Sequence, residues 1–132
     1  MTPEQYPSLY LDGIEHFNRG EYFDSHEVWE ELWIAESGED RQFYQGLIQA
    51  AVALYHLENG NLVGSRKLAD SSAAYLQSYR PQHRGLDVDA LLQAVRRCFN
   101  ANLPARSDGP GDLEARPKIR LQPPPGGSMS YP

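Results

Sequence analysis

The sequence predicts an all-α protein: a compact bundle of about five helices, with two antiparallel helical hairpins, a fifth helix and an extended tail. Three observations support this fold class. Apolar residues recur at helical spacing, with glycine, asparagine or proline between the runs. No strand alternates with the helices, which excludes a nucleotide-binding α/β fold. Finally, seven of the ten prolines and four of the eleven glycines follow position 102, a composition typical of extended or disordered chain.

The first two predicted helices form one hairpin. Helix 1 opens at 7–8 and ends at 18–20, because Gly20 can adopt the left-handed conformation that closes a helix. Helix 2 covers about 22–36, and a short turn at 37–40 follows it. The apolar residues that repeat at helical spacing in helix 1 are Leu9, Leu11, Ile14 and Phe17.

The next two helices form the second hairpin. Helix 3, about 41–58, is apolar nearly all round, which predicts that it is the buried helix of the bundle. Helix 4, about 62–79, stops just before Pro81, because proline disfavours a helical conformation in the preceding residue. Segments 17–32 and 57–72 resemble each other, since each places a glycine and a polar residue between two helices. This pattern is similar to the tetratricopeptide hairpin, without its diagnostic signature.

The remaining residues comprise a fifth helix and the tail. Helix 5 covers about 88–100, with Asp87 as its predicted N-cap, after a polar link at 82–87. We therefore expect a single helical-bundle domain at 1–102 and an extended or disordered tail at 103–132. Segment 117–121 alternates apolar and basic residues, and we expect it to pack in extended form on the helical body.

Composition narrows the function. A net charge of −6 argues against nucleic-acid binding and against docking on anionic membranes. Cys98 is the only cysteine, which excludes an internal disulfide and a thiolate metal cluster. The first residues lack the pattern of a signal peptide, and no apolar run approaches the ~20 residues that span a bilayer. We therefore expect a cytoplasmic protein.

The stretch HEVWEELW, residues 26–33, carries the most chemistry. Helical rotation places His26 and Glu30 in one stripe with Trp29 and Trp33, and Glu27 on its margin. A buried imidazole and carboxylate need partners, and as an i, i+4 pair His26 and Glu30 can satisfy each other. This predicts a polar group within an aromatic face.

Helix 3 carries a matching polar stripe of Gln45, Gln49 and His56. If the two stripes face each other, they form a polar cluster between helices 2 and 3. The predicted cluster comprises His26, Glu27, Trp29, Glu30, Trp33, Gln45, Gln49 and His56.

Four interpretations of this cluster remain open: a structural hydrogen-bond network, a small-molecule or peptide pocket, a metal site and an acid–base site. His26, Glu30 and His56 are the candidate metal ligands, although HEVWE lacks the second histidine of the zinc-protease motif. His16 and His83 have no partners in sequence, and we expect them to face solvent. We assign no metal and no cofactor.

Our first interpretation is a non-catalytic module that binds an unknown small molecule or protein through this cluster. The alternative is a metal-dependent or acid–base hydrolase that uses His26, Glu27, Glu30 and His56. A third hypothesis is a homo-oligomer joined through exposed aromatic residues.

The segments FNRGEYFDSHEVWEELW and FYQGLIQAAVALYHLENGN together resemble the bacterial and archaeal family called domain of unknown function 309. The resemblance covers about 17–64 and, weakly, 117–121. Asp24 and Ser25 stand where that family more often has glutamate and alanine. The resemblance implies a compact all-α bundle and implies no activity. It also favours a polar cluster that includes His26, Glu30, Gln49 and His56.

Overall fold

Five α-helices dominate the computed structural model, which describes residues 6–102 and 116–122; the side chains of 100–102 are not described. The all-α prediction is confirmed. In chain order the elements are α1 Ser8–Asn18, α2 Tyr22–Ala35, α3 Arg41–Glu58, α4 Leu62–Leu76, a 3₁₀ turn Gln77–Tyr79, β1 Gln82–His83, β2 Leu86–Asp87 and α5 Val88–Asn102. No helix in these described ranges is long and apolar enough to cross a membrane.

The segment predicted as a polar link forms a small antiparallel hairpin instead. β1 pairs with β2 in the register Gln82↔Asp87 and His83↔Leu86. Its two-residue loop has positive φ at both positions, 51° at Arg84 and 75° at Gly85, as a tight hairpin turn requires. Arginine is uncommon at such a position, and for this reason the sequence did not predict the turn.

The two helical hairpins are built alike at their turns. Gly20 and Gly60 both have left-handed backbones, with φ of 79° and 83°. In each turn the residue after the glycine donates its N–H to a carbonyl five positions earlier, at 2.9 Å. These bonds satisfy carbonyls at the helix end that would otherwise lack a partner.

A buried serine joins the two helices within each hairpin. The hydroxyl of Ser25 on α2 donates to the carbonyl of Gly13 on α1 at 2.9 Å. Forty residues later, the hydroxyl of Ser65 on α4 donates to the carbonyl of Ala53 on α3 at 2.6 Å. The similarity of the two segments therefore reflects a shared way of closing a helical hairpin.

The core is centred on α3 and on Trp29. The predicted burial of α3 is correct, since ten of its residues are buried. Trp29 is fully buried, and its indole N–H donates to the carbonyl of Tyr10 at 3.2 Å. Gly13 lies directly under this indole, which lets α1 and α2 approach closely.

Residues 116–122 cross the helical body without regular secondary structure. The side chain of Asn18 accepts from the N–H of Ile119 at 2.7 Å and donates to its carbonyl at 2.8 Å. Ile119 is buried, and the N–H of Gln122 donates to the carbonyl of Gly85 at 2.7 Å. The rest of the predicted tail lies outside the described residues.

Candidate functional site

The buried face of α2 differs from the stripe that the sequence predicts. The buried residues of this helix are Tyr22, Ser25, Trp29 and Leu32. Their mean direction lies about 80° from His26 and about 120° from Glu30 by helical rotation. Because the hydroxyl of Ser25 is satisfied by α1, this polar residue belongs to the core side, and the buried stripe is displaced away from His26.

His26 and Glu30 consequently lie outside the buried face of α2 rather than inside the bundle. The Nδ1 of His26 donates to the carbonyl of Phe23 at 2.9 Å, and its Nε2 is 3.9 Å from a carboxylate oxygen of Glu30. The side chain of Glu30 is 52% exposed. The expectation of a buried histidine–glutamate pair is therefore wrong: the pair exists, but water reaches it and weakens it.

The other predicted residues divide between the core and the surface. Glu27 is exposed, and Trp33 is half-buried under the guanidinium of Arg41, whose Cζ is 3.9 Å from the ring centroid. On α3, the three predicted residues Gln45, Gln49 and His56 are all half-buried. Gln49 has a buried Oε1 without a hydrogen-bond partner among the described residues.

No hydrogen bond or ion pair within the described ranges joins the polar residues of α2 to those of α3. His26, Glu30 and His56 also do not converge closely enough to share a cation. Among the described residues, the group that does is His16, Glu21 and Asp24, at the α1–α2 turn, with ligand atoms within 4.8 Å of one another. The Nδ1 of His16 is 2.7 Å from Glu21, which corrects the expectation that His16 has no partner.

A chain of four rings runs across the outer surface of α2 and α3. Phe23, His26, Tyr55 and His56 form this aromatic patch, in which successive ring centroids lie 5.0 Å (His26–Phe23), 5.4 Å (Phe23–Tyr55) and 5.7 Å (Tyr55–His56) apart. Phe23 is 48% exposed and Tyr55 is 38% exposed. The cluster predicted from the sequence includes both histidines but neither Phe23 nor Tyr55.

A second cluster joins the β-hairpin to the start of α3. The carboxylate of Asp40 is only 8% exposed, and it accepts from His83 Nε2 at 2.7 Å and from Arg84 Nε at 2.7 Å. The His83 ring packs edge-on against Phe43, with centroids 4.7 Å apart. The expectation that His83 faces solvent without a partner is therefore wrong. Its partner is 43 positions away, so the sequence offered no signal for it.

The electrostatics of this cluster favour the ionised carboxylate. Burial acts to raise the pKa of Asp40, but the hydrogen bonds from His83 and Arg84 and their charges outweigh it and lower that pKa. Burial likewise opposes the charge of Arg84, while Asp40 raises the arginine pKa overall. The side chains of His83 and Arg84 are both occupied by one carboxylate, which is the arrangement of a structural clamp.

Known proteins are similar to the part of this chain that contains the aromatic patch. Residues 10–68, which contain the whole aromatic patch, match the family model described as "Domain of unknown function (DUF309)". "Uncharacterized protein YpuF" of Bacillus subtilis (strain 168) is 35% identical over 101 residues, which is 71% of this chain and 56% of that protein. An "Uncharacterized protein" of Aquifex aeolicus (strain VF5) is 28% identical over 83 residues, or 60% of this chain and 25% of that protein.

The chain thus spans about half the length of the first relative and a quarter of the second. The resemblance drawn from the sequence is confirmed, since residues 10–68 of this chain match the model of the DUF309 family.

Proposed function

We propose that this domain is a protein-binding module that holds an arginine-containing basic segment of a partner on the aromatic patch. The observation that carries the proposal is the exposed contact between Phe23 and Tyr55. These two large rings contact each other across two helices, yet each leaves more than a third of its surface to solvent. Exposed apolar surface of this kind is common at interaction sites.

The charge around the aromatic patch favours a basic partner. Asp24, Glu27 and Glu30 are exposed on α2, and a carboxylate oxygen of Glu30 is 3.9 Å from His26 of the patch. The chain as a whole carries a net charge of −6. Arginine suits such a surface because its planar guanidinium stacks on aromatic faces and also donates to carboxylates. The chain itself offers an example, because Arg41 of α3 lies over the ring of Trp33 of α2.

The acid–base alternative finds no comparable support. Of its four residues, His26 and His56 belong to the aromatic patch, whereas Glu27 and Glu30 are exposed carboxylates beside it. A general acid or base works best where water is restricted, and the exposed carboxylates of Glu27 and Glu30 lack that protection.

The proposal is tested with a fluorescently labelled peptide of alternating arginine and glycine, titrated with the protein and followed by fluorescence anisotropy. We expect saturable binding that weakens as salt is added, and none for the equivalent glutamate–glycine peptide. Phe23→Ala and Tyr55→Ala should each weaken binding between about twofold and thirtyfold, the range of one cation–π contact.

Ile34→Ala is the matched control, because Ile34 is an exposed apolar residue on the same helix and outside the patch. It should bind the peptide as the unmodified protein does. The proposal fails if the unmodified protein does not bind the arginine peptide, or if Ile34→Ala weakens binding as much as Phe23→Ala.

A further inference from the structure

A cleft of about 370 Å³ lies on another side of the molecule, between α4 and α5. This volume is within the range of small-molecule sites. The apolar residues that line it are Ala50, Ala69, Ala73, Leu91, Leu92, Val95 and Phe99. Most of these belong to α5 or α4, and Leu91, Val95 and Phe99 are buried. The cleft therefore offers an apolar floor to a ligand.

The charged residues at the rim are unevenly paired. Arg80 and Asp89 form an ion pair with each other at one end of the cleft. Arg66 and Arg96 also line the cleft, but no carboxylate among the described residues pairs with either of them. Two unpaired guanidinium groups are notable in a chain that carries a net charge of −6.

One of these arginines is already oriented by the apolar floor. The guanidinium carbon of Arg66 lies 5.5 Å from the centroid of the Phe99 ring. This contact joins α4 to α5 and holds the guanidinium over an aromatic face. The guanidinium therefore loses part of its hydration shell before any anion binds. A group held in this way loses less side-chain freedom when it binds an anion.

We infer that the α4–α5 cleft binds a small organic anion, with its carboxylate or phosphate head on Arg66 and Arg96 and an apolar body on the floor. Two guanidinium groups can donate several hydrogen bonds to one such head group, and arginine forks match both carboxylate and phosphate geometry. Asp70 also lines the cleft, which disfavours heads of high negative charge. This site is separate from the aromatic patch and does not depend on it.

The experiment titrates the full chain with octanoate, octyl phosphate, 1-octanol and inorganic phosphate, and measures binding by isothermal calorimetry. Octanoate or octyl phosphate should bind saturably, and the tighter of the two identifies the preferred head group. Octanol lacks the charge and phosphate lacks the apolar body, so both should bind far more weakly. Equal binding of octanol and octanoate would overturn the role of the arginines.

Two double variants are compared, and each removes one positive charge from α4 and one from α5. Arg66→Ala with Arg96→Ala removes the two guanidinium groups of the cleft that have no carboxylate partner among the described residues. Lys67→Ala with Arg97→Ala removes the same charge from the adjacent exposed positions, which do not line it. The first double variant should bind the anion at least about tenfold more weakly, the effect of losing charge-assisted hydrogen bonds.

The second double variant should bind as the unmodified protein does. If both weaken binding equally, the anion responds only to net charge, and the site is not in the cleft. The single variant Arg96→Ala guards against a folding defect, because Arg96 is exposed and takes part in no ion pair among the described residues. It should unfold at the same temperature as the unmodified protein and still bind more weakly.

Discussion

Gly13→Ala tests the close approach of α1 and α2. In an exposed helix interior this change stabilises by about 1 kcal/mol, because alanine is the better helix former. Here a Cβ at position 13 would overlap the Trp29 indole, with Cε2 only 2.6 Å away. Trp29 is fully buried, so a shift of its indole would disturb the side chains packed around it.

The magnitude follows from what must move. Inserting a methyl group into a packed core costs about 1–3 kcal/mol, and displacing the indole also strains its hydrogen bond to Tyr10, worth about 1 kcal/mol. The Ser25 hydroxyl donates to the carbonyl of Gly13 itself, so this bond is strained too. The better helix propensity of alanine offsets about 1 kcal/mol of these costs. The free energy of unfolding should therefore fall by about 2 kcal/mol, and Tm by about 10 °C.

The assay is urea denaturation followed by far-ultraviolet circular dichroism, in two backgrounds. In the unmodified protein Gly13→Ala should destabilise the fold. In a Trp29→Leu background the indole is gone, so Gly13→Ala should stabilise by about 1 kcal/mol relative to Trp29→Leu alone. The reasoning is refuted if Gly13→Ala has the same effect in both backgrounds, since contact with Trp29 would then not be the cause.

Three further changes test other contacts. Asp40→Asn should lower the free energy of unfolding at neutral pH by about 2 kcal/mol, less than for a fully buried pair because its partners are about a third exposed. The pKa of Asp40 is lowered in the folded chain, so its stabilisation is complete above about pH 4 and is lost as the pH falls through the folded value; urea titrations should show the two proteins converging in acid. Asn18→Ala removes both hydrogen bonds to Ile119, so trypsin should cleave after Lys118 faster than in the control Asn59→Ala; equal rates would mean that Asn18 does not hold this segment. Ser65→Ala should cost about 1 kcal/mol by thermal denaturation, whereas the exposed Ser78→Ala should cost nothing measurable.

The helices could be predicted from the sequence because their signals are local. α3 begins and ends at the predicted residues, and α2 is one residue shorter than predicted. The helix expected to reach position 79 changes to a 3₁₀ turn after Leu76. Glycines at the turns and Pro81 set these limits through backbone sterics, which depend on neighbouring residues alone.

The candidate site was predicted less well because tertiary contacts decide which face of a helix is buried. Ser25 is polar, and the sequence therefore assigns it no place in the core. Its hydroxyl instead donates to the carbonyl of Gly13 on α1, so Ser25 lies on the buried face of α2. His26 consequently lies at the margin of that face, and Glu30 faces solvent. Phe23 is exposed and its ring contacts that of Tyr55, a contact between two helices that a single helical wheel does not show.

The sequence by itself determined the all-α class, the two hairpins and the limits of most helices, since these depend on side-chain periodicity and on turn residues. The tertiary structure decided which residues meet: Asp40 with His83, Phe23 with Tyr55, and Arg66 with the floor of the α4–α5 cleft. These pairs lie between 32 and 43 positions apart. The physical reason is that a side chain far along the chain can replace water as a partner only after the helices pack, and no local pattern encodes that choice.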